Sequence, residues 1–160
     1  VPGNHDPSLE PPDQLWMPLQ AEVPSPGPAG CENIDGRLVE VHGLRIAGLG
    51  GSLRYKKGPN QYSQAQMRWR VLSLELRIRL RPVRRGRKLD LVVAHAPPFG
   101  LAEPKDAAHV GFAALVRLIE TFQPLLFVHG HVHPYGRSQP ERHVGATRVV
   151  NAIPSRLIEI

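Results

Sequence analysis

The residues of this chain best suited to hold a metal ion or move a proton fall into three short stretches. They are Gly3-Asn4-His5-Asp6 at the start, His95 in AHAPP, and His129-Gly130-His131-Val132-His133. Imidazole nitrogens suit Zn, Fe, Mn, Co or Ni, and an amide oxygen such as that of Asn4 suits the harder members of that set. In HGHVH, residues 131 and 133 point to one side if the segment stays extended, and Gly130 allows a close backbone approach. Taken singly these signals are weak. A lone histidine after an apolar strand is more often just a polar residue where the strand meets water, and His42, His109 and His143 are read that way. Taken together they are not weak. Each cluster stands where a strand-like run ends or should end, and functional groups of open α/β sheets gather beyond the carboxyl ends of the strands.

The elements that must position these residues can be read in outline. Residues 33–51, NIDGRLVEVHGLRIAGLGG, read as strand, turn, strand, with Asp35-Gly36 and His42-Gly43 as turns. SQAQ (63–66) fits a capping box. The LSLELRIRLR that follows alternates like a strand, yet it also carries two rows at helical spacing. One is Trp69, Leu72, Leu76 and Leu80; the other is Met67, Val71, Leu74 and Ile78. The cap and the length decide for a helix over about 64–81, stopped by Pro82. LDLVVAHAPP (89–98) is a buried strand. Residues 109–122 form a helix, and PLLFVHGHVHP (124–134) is a second buried strand ending in histidines. TRVVNA (147–152) and RLIEI (156–160) read as closing strands. The Pro-rich 7–30 is a long loop, anchored by Leu15, Trp16 and Met17. Alternating strands and helices argue an α/β sheet with helices packed on it.

Composition sets the outer bounds. The 160 residues suffice for one domain with a core. A single cysteine, Cys31, excludes a disulfide framework and a multi-cysteine metal site. No apolar run reaches the roughly 18 residues of a bilayer span, so no membrane partner is expected, and a cytoplasmic location is. The net charge of +6 is concentrated: residues 68–88 hold nine Arg/Lys and one Glu, and the rest of the chain is slightly acidic. The chain is thus a near-neutral domain with one basic segment.

GNHD, a histidine after a buried strand, and GHVH resemble the last three motif blocks of the calcineurin-like metallophosphoesterases, and VVNAIPSRLIEI resembles the closing strands of that superfamily. The resemblance implies an α/β fold of the αββα sandwich type, mixed sheets flanked by helices. It implies a hydrolase of phosphoesters with two divalent ions roughly 3.5–4 Å apart and a metal-activated water. It places Asn4, His95 and His131 at one metal and His133 at the other. His5 would act at the leaving-group oxygen, with Asp6 orienting its ring, and His129 would stand behind the ligands or serve the structure. The metals would be drawn from Mn, Fe, Zn, Co or Ni.

The family pattern begins with an Asp-X-His block and a Gly-Asp block, which supply a carboxylate bridge, and this chain starts at the block that follows them. The expectation is a single domain over 1–160, covering roughly two-thirds to three-quarters of the full fold with its N-terminal strands missing. A further roughly 50–80 upstream residues would complete a dinuclear phosphoesterase, and the missing strands would leave an exposed sheet edge. The 160 residues alone should bind metal weakly, in at most one site, with little activity. Glu103 and Asp106 lie on a loop that could approach the site. Two other readings compete. One is a nucleic-acid-binding or nuclease-type module using Arg68–Lys88, disfavoured because aromatic platforms are nearly absent apart from Trp69. The other is a degenerate, non-catalytic scaffold, disfavoured because GNHD and GHVH have no obvious packing value. Substrate specificity would reside in loops 7–30, 51–62 and 99–108.

Overall fold

The computed structural model describes residues 1–6, 30–101, 109–133 and 141–160. Residues 33–51 fold as the alternation predicts. Strands β1 (Leu38–Val41) and β2 (Leu44–Leu49) pair antiparallel. His42 and Gly43 between them take φ of 49° and 78°, two left-handed residues in a turn whose twist matches that of the strands. Two short parallel strands follow, β3 (Ser52–Leu53) and β4 (Gln61–Tyr62).

Helix α1 (Gln64–Arg79) opens with the expected capping box. Ser63 Oγ accepts from Gln66 N at 3.1 Å, and Gln66 Oε1 accepts from Ser63 N at 2.9 Å. Satisfying two end donors in this way favours the helix over the competing strand pattern. Of the two apolar rows, Met67, Val71, Leu74 and Ile78 are buried, while Trp69, Leu76 and Leu80 face water. Each fully buried Leu, Ile, Val or Met contributes about 1.5–3 kcal/mol relative to exposure. Glu75 is buried in the same row. Its Oε2 accepts from Arg79 Nη2 at 2.9 Å and from Arg117 Nη2 at 3.1 Å.

Arg117 belongs to helix α2 (Ala113–Phe122), which follows β5 (Leu91–Ala94). The helix begins later than residue 109, because Gly111 takes φ 79° and Phe112 is extended. Strands β6 (Leu126–His129), β7 (Arg142–Val144) and β8 (Thr147–Asn151) complete the order. RLIEI is not a strand, contrary to expectation; Leu157 is 95% exposed. The strand before it, β8, already pairs with β6 on one side and β7 on the other, so the segment cannot extend the sheet next to β8. Leu15, Trp16 and Met17, and likewise Glu103 and Asp106, lie outside the described residues.

The sheet runs β1-β2-β5-β6-β8-β7. Its four central strands are mutually parallel and its edges, β1 and β7, antiparallel. Register sets Ala47, Val92, Phe127 and Val149 in one row, in the core with α1 and α2. Val93 and Val128, on the opposite face, are only half-buried. Among the described residues no helix is long and apolar enough to cross a membrane.

Candidate functional site

Four parallel strands end on one edge of the sheet, and the residues of interest lie there. His95 directly follows β5, where its N–H donates to Leu49 O at 3.0 Å. Gly130 N in turn donates to His95 O at 3.1 Å. Residues 1–6 form no strand; they fold as a turn laid beside the end of β2. Gly51 N donates to Pro2 O at 2.9 Å, and Asn60 Nδ2 donates to Gly3 O at 3.0 Å and Asp6 O at 3.2 Å. Gly3 lies flat against the His95 ring, so a Cβ there would stand 2.7 Å from Cε1. The glycine is what lets the turn close over the imidazole.

The structure brings Asn4, His95 and His131 together. His95 Nε2 lies 3.1 Å from Asn4 Oδ1 and 3.0 Å from His131 Nδ1. Asn4 Nδ2 donates to Tyr55 Oη at 3.3 Å, which turns Oδ1 toward His95. An amide oxygen can only accept, so a hydrogen bond between His95 and Asn4 in the metal-free site calls for the Nε2–H tautomer of His95. Asn4 and His131 are buried. Burial, reinforced by the neighbouring His131 imidazole, pushes the His95 pKa down to about 4; the Asp6 carboxylate opposes the shift. His95 is therefore neutral at pH 7. Among the described residues no three His, Cys, Asp or Glu side chains form a group able to hold a metal ion; the third donor of this cluster is an amide.

HGHVH does not stay extended. β6 ends at His129, and His131 takes φ 63°, so the chain bends between the histidines. Val132 then turns inward, 1% exposed, where its carbonyl accepts from Asn151 Nδ2 at 2.7 Å, and His133 is exposed. His129 is buried, with Nδ1 3.1 Å from Gly130 O, and desolvation lowers its pKa. His5 and Asp6 are exposed. Asp6 does not hold the His5 ring as expected: its Oδ2 accepts from Gly3 N at 2.6 Å, closing the turn.

Three contributors were not anticipated. Tyr55 orients the Asn4 amide. Asn60, at φ 52°, clamps the 3–6 turn. His109 stacks on His131 with ring centroids 4.8 Å apart at 27°. Only the placement of residues 51–62 in a loop near the glycines hinted at the first two. An isolated histidine at 109 carried no signal.

A family model described as calcineurin-like phosphoesterase matches residues 1–135. No curated protein matches the chain. One similar crystal structure is 24% identical with a TM-score of 0.51, over 74% of this chain and 44% of its own length. TT1561 of Thermus thermophilus is 20% identical with a TM-score of 0.49, over 75% of this chain and 48% of its own. The chain thus spans less than half the length of either structure. The mixed six-stranded sheet with helices on it corresponds to part of the metallophosphoesterase fold, whose members generally use divalent metal ions. Since the matched region takes in all three histidine-bearing stretches, the chain belongs to the calcineurin-like phosphoesterase family.

Proposed function

We propose that this chain carries part of the catalytic site of a metal-dependent phosphoester hydrolase, with Asn4, His95 and His131 as donors to one divalent cation and His133 as donor to a second. The observation that carries the reading is the approach of His131 Nδ1 and Asn4 Oδ1 to His95 Nε2 at 3.0 and 3.1 Å. Three lone pairs pointed at one small cation describe a metal site. Ligands at right angles on bonds of about 2.1 Å lie about 3.0 Å apart, so the two distances from His95 suit neighbouring ligands of one ion. For the second ion His133 is the one donor at hand among the described residues, and the chain alone is expected to take up one ion, weakly, because its converging donors are all neutral. A divalent ion there would act as a Lewis acid toward water and phosphate oxygens.

The chain's own residues supply the rest. Tyr55 fixes which face of the Asn4 amide meets the site. Burial keeps His95 neutral, and ligation requires its proton to move from Nε2 to Nδ1. His5 stands exposed beside Asn4; it donates a proton to the departing oxygen, a role that contributes typically about 10²–10⁴-fold.

Zinc titration of nitrogen-15-labelled protein tests this, with metal content and aryl-phosphate hydrolysis measured alongside. The expected result is a switch of His95 from the Nε2–H to the Nδ1–H tautomer, at about one ion per chain. Zinc uptake that leaves the His95 and His131 signals unmoved would sink the assignment. Turnover that is indifferent to His5→Ala would remove His5 from the reaction.

A further inference from the structure

Helix α1 carries a second apolar face. Trp69 is 73% exposed, Leu76 59% and Leu80 77%, and Val83 just beyond is 59% exposed. With Leu72, these residues recur at helical spacing and form one stripe about 16 Å long on the side away from the core. At 100° per residue, Arg68 and Arg79 border the stripe on one side and Arg77 on the other. Arg81, Arg84 and Arg85 follow at its carboxyl end, all exposed. Among the described residues Arg68, Arg81 and Arg85 have no ion-pair partner. The one acid of residues 68–88, Glu75, is buried on the inner face, so the outward surface of the segment carries no carboxylate.

We propose that this face docks onto an anionic lipid bilayer. A helix lying in the interface wants an apolar stripe for the acyl boundary and basic residues along its rim for the headgroups. Tryptophan is favoured at that depth, and long arginines reach headgroups while their stems cover apolar surface. A second copy of the chain does not fit, because face-to-face stacking would set arginine against arginine. Nucleic acid fits poorly: it offers nothing to Leu72, Leu76 and Leu80, and Trp69 is a single stacking platform. The inference is independent of the phosphoesterase reading. It departs from the expectation of no membrane partner, which rested on the lack of a spanning run.

Vesicles of phosphatidylcholine alone and vesicles with about one-third phosphatidylglycerol test it by co-sedimentation at about 0.1 M salt. Binding at least about tenfold stronger to the anionic vesicles is expected, falling steeply as salt is raised. In a Trp16→Phe background, Trp69 emission should shift to the blue on binding. Leu76→Asp with Leu80→Asp should abolish binding while far-ultraviolet dichroism stays unchanged, since both side chains already face water. Arg68→Ala with Arg85→Ala should erase the preference for phosphatidylglycerol. The proposal is overturned by no vesicle binding, by equal binding to both vesicle types, or by binding that survives the double aspartate variant. Tight capture of a single-stranded oligonucleotide without vesicle binding would assign the face to nucleic acid instead.

Discussion

The two halves of the candidate site are held in different ways. Asn4, His95 and His131 are fixed by the fold: a glycine presses on one ring, a tyrosine turns the amide, and strand-end hydrogen bonds place the backbone. His5, Asp6 and His133 stand at the exposed margin, where the Asp6 carboxylate is occupied with its own turn. The contrast teaches that the sheet can preorganise one set of donors without the rest of the site. Binding should therefore depend on the inner three, and turnover on the outer residues.

The largest effect should come from His95→Ala or His131→Ala, each weakening zinc binding by more than about 100-fold, beyond the range for residues that only support a ligand. Calorimetry on the two variants and on His133→Ala compares the halves directly; an equal loss in all three would break the distinction. Gly3→Ala should come next. Its new methyl would sit 2.7 Å from His95 Cε1, and the forced shift should cost about 1–3 kcal/mol of stability, read by denaturant unfolding.

Acid should act through the buried histidines His95 and His129. His95 has a folded-state pKa lowered to about 4 from 6.5, and His129 is lowered as well. Below pH 6.5 the unfolded chain binds protons that the folded chain refuses, so metal-free stability should fall from pH 6.5 toward 4. Urea midpoints across that window check this, and His95→Gln should flatten the slope. Tyr55→Phe should weaken zinc binding by about tenfold with little loss of stability, as expected for a residue acting through a ligand. The smallest effect on stability belongs to His5→Ala, whose unfolding free energy from urea titration should stay within about 0.5 kcal/mol of the parent.

Much of this was legible in the sequence. The capping box told helix from strand at Ser63, because end-donor satisfaction is a local matter. Placement of His95 and His131 beyond strand ends followed from apolar runs that stop at polar residues, whereas Asn4 lies in a turn with no strand of its own. Tyr55, Asn60 and His109 were hidden, since each acts through a single contact across loops with no periodic trace. The bend at His131 was equally hidden, for Val132 is drawn inward by Asn151, a partner 19 residues away. The two apolar rows of α1 were both visible, but only packing could say which faces inward. RLIEI has strand character, yet the strand next to it in sequence, β8, is already paired on both sides.

Glu75 has a consequence for motion. Its carboxylate is shut away from water between guanidinium groups, one from its own helix and one from α2. Sliding one helix past the other by a turn would pull Arg117 away and strip a buried anion of half its compensation. The pair is therefore keyed to one axial setting, in which both guanidinium groups meet the same carboxylate oxygen.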